Sequence, residues 1–479
     1  NMCGTDVAGN GSDIPRNSAL GWRGNCHEED AINGVVGGYH DAGDHVMFGL
    51  PQGFSATMLG WNYYEFKEQY AALNQTDHYK IISDRFNDFF VQCISDDGSK
   101  ILVQKGDGNK DHLLWGAPES QAERTDEMIW SDKGSDIAAE YAASLALSYL
   151  NFYRDDLPVA EKTKYENHLA VAKKLYDFAT TANREKYSNS FYPSGSDNDD
   201  KALAAGWLYL ATVKQGSAVD RYKNECNVTE TKPITWDEVH TAAAYVKARI
   251  DGSWDGVVNH ITGICDNNSD SYYRGPHSWG TARHNALNQT IALAVAKNIK
   301  GSQPKKAEKI ANWCKKQMAI ILGNNNWKDG ESVCLVTGFA ENSAKYAHHR
   351  AASGWASHDE YRVNSTYDSD GRIIIGALAG GPAFDGHWDQ QQMIDYGHDN
   401  CVAAHIYLDD LHDYCCNEVA LDYNAGLVGA AAGLYYFFET GHTYAIPGVE
   451  VQYLQSESEQ IVSPTNTFSA LSLNLLKGT

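Results

Sequence analysis

Two aspartates, Asp41 and Asp44, share the run Gly37-Gly38-Tyr39-His40-Asp41-Ala42-Gly43-Asp44-His45. A carboxylate pair in a glycine-containing turn can hold one water between two acceptors and take its proton, as a hydrolytic general base does. The same residues would also suit a polar turn whose aspartates only satisfy backbone N–H groups. A second acidic segment lies far downstream. It runs from Tyr407-Leu408-Asp409 through Tyr414 to Asn417-Glu418-Val419-Ala420 and Asp422-Tyr423-Asn424-Ala425-Gly426. A water-activating carboxylate near one end of a chain and a separate glutamate near the other suit acid/base cleavage of a glycosidic bond, which needs one group ionised and the other protonated at the same pH.

The aromatic-x-Asp, aromatic, Glu, Asn-Ala spacing from Tyr407 to Ala425 resembles a signature of glycoside hydrolase family 9, the inverting cellulases. So do the Asp41–Asp44 turn, Trp22-Arg23-Gly24, Gly49-Leu50-Pro51, Asp111-His112 with Trp115, Trp279-Gly280 with Arg283, His348-His349-Arg350 and Gly380-Gly381-Pro382. These matches run in family order over nearly the whole chain. The resemblance implies an endo-β-1,4-glucanase that acts on cellulose and related β-glucans by single displacement. Asp44 then corresponds to the general base, Asp41 to the partner that helps hold the water, and Glu418 to the general acid. An inverting pair of this kind stands about 6.5–9.5 Å apart, leaving room for water. Asp409 would order the active-site loop.

Substrate holding is implied for His112, bonding sugar hydroxyls, and for Trp115, stacking on a ring. Trp279 and Arg283 resemble a second such pair, although their spacing also suits a structural Arg–aromatic contact on one helix face. Tyr423, His348 and Arg350 complete the implied set. The chain departs from the family around Asn342-Ser343-Ala344-Lys345-Tyr346-Ala347 and Gly323-Asn324-Asn325-Asn326, where relatives carry prolines. Those changes touch loop shape and leave the acid and base in place.

Cys3, Cys26, His27 and His40 form a complete tetrahedral zinc set with no position left for water. The alternative is unrelated buried Cys and His; the family, in which His before the Asp-Ala-Gly-Asp run accompanies the upstream Cys and Cys-His, implies a structural zinc. Asp199, Asp200 and Asp237 match an acidic set that holds calcium in some relatives, and oxygen ligands suit that ion. Acidic residues at 197–200 would equally stabilise a helix N-terminus.

Helices must carry these groups. Ser135 to Tyr153 has an apolar stripe of Ile137, Tyr141, Leu145, Tyr149 and Phe152, with Ser135 as its expected N-cap. Similar periodicity marks His168–Thr180, Asp199–Thr212, Asp237–Ile250, Asn285–Asn298, Lys305–Leu322 and Asn424–Glu439. Alternating strands are scarce, which predicts an all-α domain with functional loops. The resemblance sharpens this to an (α/α)6 barrel over 1–445, without the family's first helix. The polar 446–479 tail reads either as a linker remnant towards a lost binding or docking module or as an arm packed on the barrel.

The 479 residues carry a formal charge of −23, which argues against nucleic acid or anionic lipid as a partner and is compatible with a neutral polysaccharide. No run of 18 apolar residues occurs, so no membrane span is expected. There is no signal-peptide pattern at Asn1-Met2-Cys3, and an extracellular location is inferred only from an insoluble substrate. The ten cysteines are unevenly spaced and read mostly as free or metal-bound, since a Cys415–Cys416 bridge would be strained. Two competing readings are a carbohydrate-binding homologue that has lost catalysis and a zinc hydrolase. Intact Asp41, Asp44 and Glu418 oppose the first, and four protein ligands oppose the second. A preference for mixed-linkage glucan or xyloglucan is a third variant of the enzyme reading.

Overall fold

Alanine-rich helices without a polar face end up covered on all sides. The segment Ser135–Phe152 is the clearest case, with every residue except Asn151 buried. The computed structural model describes residues 26, 35–120, 127–384, 390–396 and 406–438. The expectations about the family's first helix and the 446–479 tail fall outside these residues, as do Cys3 and His27.

Ten longer helices are described: α1 (Gly49–Ala72), α2 (Thr76–Phe90), α3 (Ser135–Phe152), α4 (Val159–Ala179), α5 (Asn198–Lys214), α6 (His240–Asp251), α7 (Asp255–Asn267), α8 (Thr281–Ile299), α9 (Pro304–Ile321) and α10 (Leu421–Phe438). Helices α1, α3, α5, α6, α8 and α10 form an inner ring, with α10 packed back on α1. Between α6 and α8 the ring closes through polar contacts. Asn298 Nδ2 donates to the Tyr245 hydroxyl at 2.9 Å, and Arg249 donates to Asn298 Oδ1 at 2.8 Å. Buried Glu65 of α1 accepts from both Tyr245 and Arg249, so three ring helices share one satisfied charge. Helices α2, α4, α7 and α9 lie outside them, each with a buried stripe and an exposed face. This is the (α/α)6 barrel.

A three-stranded antiparallel sheet, β1 (Met47–Phe48), β2 (Ile101–Lys105) and β3 (Met128–Ser131), interrupts the helical pattern. Strands this short have no alternation to betray them: β1 and β2 are buried throughout and β3 is half-buried throughout. Strand β1 directly follows Asp44-His45-Val46 and runs into α1, so it anchors the aspartate turn to the inner ring. The expected cap at Ser135 is displaced by one residue: Gly134 takes the N-cap position with φ 109°, and Ser135 Oγ donates to Asp197 instead. All eight described cysteines are buried.

Candidate active site

Three loops meet at the mouth of the barrel and are stitched together by main-chain bonds. The Arg350 N–H donates to Gly43 O at 3.1 Å, the His348 N–H to Asn417 O at 2.8 Å, and the Leu421 N–H to Asp41 O at 3.0 Å. The turn can approach this closely only because Gly43 lacks a side chain. A Cβ there would stand 2.1 Å from His348 O and 2.7 Å from His349 Cα. Asp41, Asp44 and Glu418 are thereby brought to one place.

Asp41 and Asp44 are both buried, but their surroundings differ. Burial and the neighbouring Asp44 push the Asp41 carboxyl well up, against the hydrogen bond that Tyr192 donates to Oδ2. Burial also raises Asp44, yet His112 and Arg350 pull it back. His112 Nε2 stands 3.8 Å from Asp44 Oδ2. Two adjacent carboxylates do not both ionise easily in a dry site, and the better-compensated Asp44 is the one that keeps its charge.

Glu418 is the C-cap of the short helix Tyr414–Asn417 and stands ahead of α10, and its carboxyl is bonded to side chains and not to a helix N-terminus. Its Oε2 accepts from Trp279 Nε1 at 2.9 Å and from the Tyr423 hydroxyl at 3.0 Å. Burial raises its pKa to about 7, although Arg283, Tyr423 and Trp279 work in the other direction. With Oε2 occupied by two donors, a proton on this carboxyl belongs on Oε1.

Several residues with implied sugar contacts are held by protein partners. Trp115 is buried, stacked on Tyr361 with ring centroids 3.8 Å apart, and donates to Ser353 Oγ at 3.0 Å. Its ring therefore builds the wall, and an open stacking face is not what it presents. Arg350 is buried in an ion pair with Asp111, which also faces His45. Trp279 lies before α8, so it shares no helix face with Arg283; Gly280, at φ 68°, separates it from the helix. Arg283 instead pairs with Asp422 at 3.2 Å, donates to Trp279 O and lies 4.9 Å from the centre of the Tyr423 ring. His348 is driven to about 3 by burial and is neutral, with Nδ1 against Leu411 O at 2.8 Å. His112 is the more open member of the set, its side chain 44% exposed. Asp409 accepts from the Lys345 and Tyr346 N–H groups at 3.0 Å and faces Lys328, which orders the loop leading to His348.

Tyr192, Asp111 and Asp422 were not among the residues expected from sequence. Asp111 and Asp422 could have been suspected as acidic neighbours of His112 and Tyr423; nothing in the local pattern marks Tyr192.

Of the zinc set, Cys26 and His40 are described and both are buried. Asp199, Asp200 and Asp237 of the calcium set are all described. Asp237 Oδ1 accepts the Gly195 N–H at 2.7 Å, and Asp200 is buried, its carboxyl pushed well up by burial and by the neighbouring Asp199 and Glu140. Asp199 gathers with Glu238 and His240, their ligand atoms all within 4.8 Å of one another.

Residues 6–431 match the model of Glycosyl hydrolase family 9. Endoglucanase A of Bacillus pumilus is 30% identical over 466 residues, covering 90% of this chain and 64% of that protein. The chain thus spans less than two thirds of that relative's length. Among solved structures, the cellulase Cel9M of C. cellulolyticum in complex with cellobiose superposes with a TM-score of 0.72 at 32% identity, covering 91% of this chain and 95% of the other. The catalytic domain of Clostridium thermocellum CelT gives 0.74 at 31%, covering 92% and 94%.

Proposed function

The chain belongs to glycosyl hydrolase family 9, and on that premise we propose that it is an endo-β-1,4-glucanase hydrolysing cellulose and related β-glucans with inversion. The observation that carries the reading is Glu418, a carboxyl held near neutral pKa opposite a turn whose Asp44 keeps its charge. Asp44 takes a proton from a water that Asp41 helps to hold. That water attacks the anomeric carbon while Glu418 Oε1 delivers its proton to the departing glycosidic oxygen. Trp279 and Tyr423 then receive the new carboxylate on Oε2, where their donors already point. One displacement leaves an α-configured product.

Cellulose is insoluble, so the reading carries with it an extracellular site of action. Cys3, Cys26, His27 and His40 are proposed to hold a structural zinc. Two thiolates and two imidazoles fit that ion, and the two described ligands are buried as a closed site requires. Its place would be to pin the chain ahead of the aspartate turn.

Polarimetry or NMR on fresh products from a soluble cello-oligosaccharide tests the mechanism. Initial α-anomer, lost in Glu418→Gln and Asp44→Asn while both stay folded, is expected. Initial β-anomer would overturn the single displacement, and a wild-type protein that binds without turnover would leave the inactive homologue.

A further inference from the structure

The convergence of Asp199, Glu238 and His240 asks for a ligand. Asp199 is fully buried, and its Oδ1 has no hydrogen-bond partner. His240 Nδ1 lies 3.0 Å from Asp199 Oδ2 and 2.9 Å from Glu238 Oε2. Neither oxygen stands where an Nδ1–H would point, so no hydrogen bond closes either contact. The three residues come from separate places: Asp199 from the first turn of α5, Glu238 from the turn before α6, and His240 from its first position.

We infer that Asp199, Glu238 and His240 form a binding site for a first-row divalent transition metal ion. Two observations point to that class. An imidazole nitrogen stands among two carboxylates, a donor set that suits first-row ions, whereas calcium takes oxygen in preference to an imidazole. On its far side, His240 Nε2 lies 3.3 Å from Glu230 Oε1, the carboxylate partner that fixes the ring of a metal-bound histidine. The Lys232 ammonium, 3.1 Å from Glu238 Oε2, is the competing cation.

The site also reaches the chemistry. Asp199 Oδ2 accepts the Val239 N–H at 2.8 Å, holding the turn that carries Trp236. Trp236 packs edge-on against Tyr192 at 4.8 Å, and Tyr192 donates to Asp41. An ion joining α5 to α6 would stiffen the backing of the base pair. That coupling rests on the glucanase reading; metal binding does not.

Chelator-stripped full-length chain, titrated with Co(II) and separately with Ca(II), tests the site. Expected is one Co(II) equivalent without thiolate charge-transfer absorption, weakened at least tenfold in His240→Gln and in Glu238→Gln. A thiolate-coloured equivalent at Cys26 and His40 should persist in both variants. Unchanged Co(II) affinity in His240→Gln would overturn the site, as would Ca(II) displacing Co(II) equally in wild type and variant. Should either variant misfold, anomalous scattering from wild-type crystals grown with Co(II) decides. A peak beside His240 Nδ1 is expected, and Lys232 Nζ against Glu238 with no peak overturns the proposal.

Discussion

The Leu421 N–H donates to the Asp41 carbonyl at 3.0 Å, joining the turn that carries the base to the first residue of the helix behind the acid. With the His348–Asn417 and Arg350–Gly43 bonds it makes the distance between base and acid a property of the main chain. Side chains at the site can therefore be exchanged without moving the frame, whereas an atom inserted between the loops cannot be accommodated.

Gly43→Ala inserts that atom. The nearest neighbours of the new Cβ are the backbone of His348 and His349, with no flexible side chain to yield. Overpacking of this kind costs about 1–3 kcal/mol, and a displacement of about 1 Å at the base lowers turnover by roughly a hundredfold. Denaturant unfolding and kcat on a soluble glucan should both fall; wild-type values for both would contradict a turn packed on the His348–His349 main chain.

The pH profile follows from the two carboxyls. Glu418 must be protonated, so activity is present below about 7 and is lost as pH rises through that value. Asp44 must be ionised, and burial has raised it, so activity is lost as pH falls through a point above the usual aspartate value. A bell for kcat/KM is expected, with its alkaline limb near 7. A flat profile to pH 9 would remove Glu418 as the acid.

Opposite substitutions around Glu418 should move the alkaline limb in opposite directions. Trp279→Phe removes a donor that favours the charged carboxylate, which raises the pKa and carries the limb upward. A charge-assisted bond is worth about 1.5 kcal/mol, or roughly one pH unit. Asp422→Asn removes a nearby negative charge and carries the limb downward. Shifts of the same sign in both variants would mean that general disruption, and not electrostatics, governs the profile.

The chemistry that was legible in the sequence lies in residues whose main chains touch. Asp41, Asp44 and Glu418 stood out by their match to the family's signatures, since an isolated Asp-x-x-Asp suits a polar turn as well, and backbone bonds bring the three together. What stayed hidden are pairings across long stretches of chain: Tyr192 to Asp41, Arg283 to Asp422 and Arg350 to Asp111. An isolated tyrosine or arginine gives no local sign of its partner. The partner of Trp115 was hidden for a related reason, since a ring suited to a sugar is equally suited to Tyr361. Seven of the ten longer helices were legible from periodicity and α1, α2 and α7 were not expected, while several starts fall earlier than expected: α4 begins at Val159 and α8 at Thr281. The first polar turn of each had no stripe to show.

Asp111→Asn separates two effects that reach Asp44. The ion pair with Arg350 is buried on both sides, and removing one partner costs about 3–5 kcal/mol. The same change removes a charge that raises Asp44, so the acid limb of the pH profile should move down. Lower stability together with an acid limb moved to higher pH would place the charge effect elsewhere.

Ser148, His168 and Asp88 look like a hydrolytic triad and should behave as a staple. Ser148 Oγ stands 2.9 Å from His168 Nδ1, and His168 Nε2 lies 3.1 Å from Asp88 Oδ1. Both Ser148 and His168 are buried between α3 and α4, so no substrate can reach the hydroxyl. Ser148→Ala should leave glucan hydrolysis unchanged and strand a buried ring nitrogen, costing about 1–3 kcal/mol in denaturant unfolding. Burial works against ionised Asp88, but the His168 bond and Lys164 outweigh it and hold its pKa below the usual value. A depressed carboxyl stabilises the fold above its unfolded pKa, and that stability is lost as pH falls through the folded value. His168→Leu should therefore unfold more readily at neutral pH and show a shallower decline of stability toward acid. Equal acid sensitivity in wild type and variant would mean that Asp88 gains nothing from the histidine.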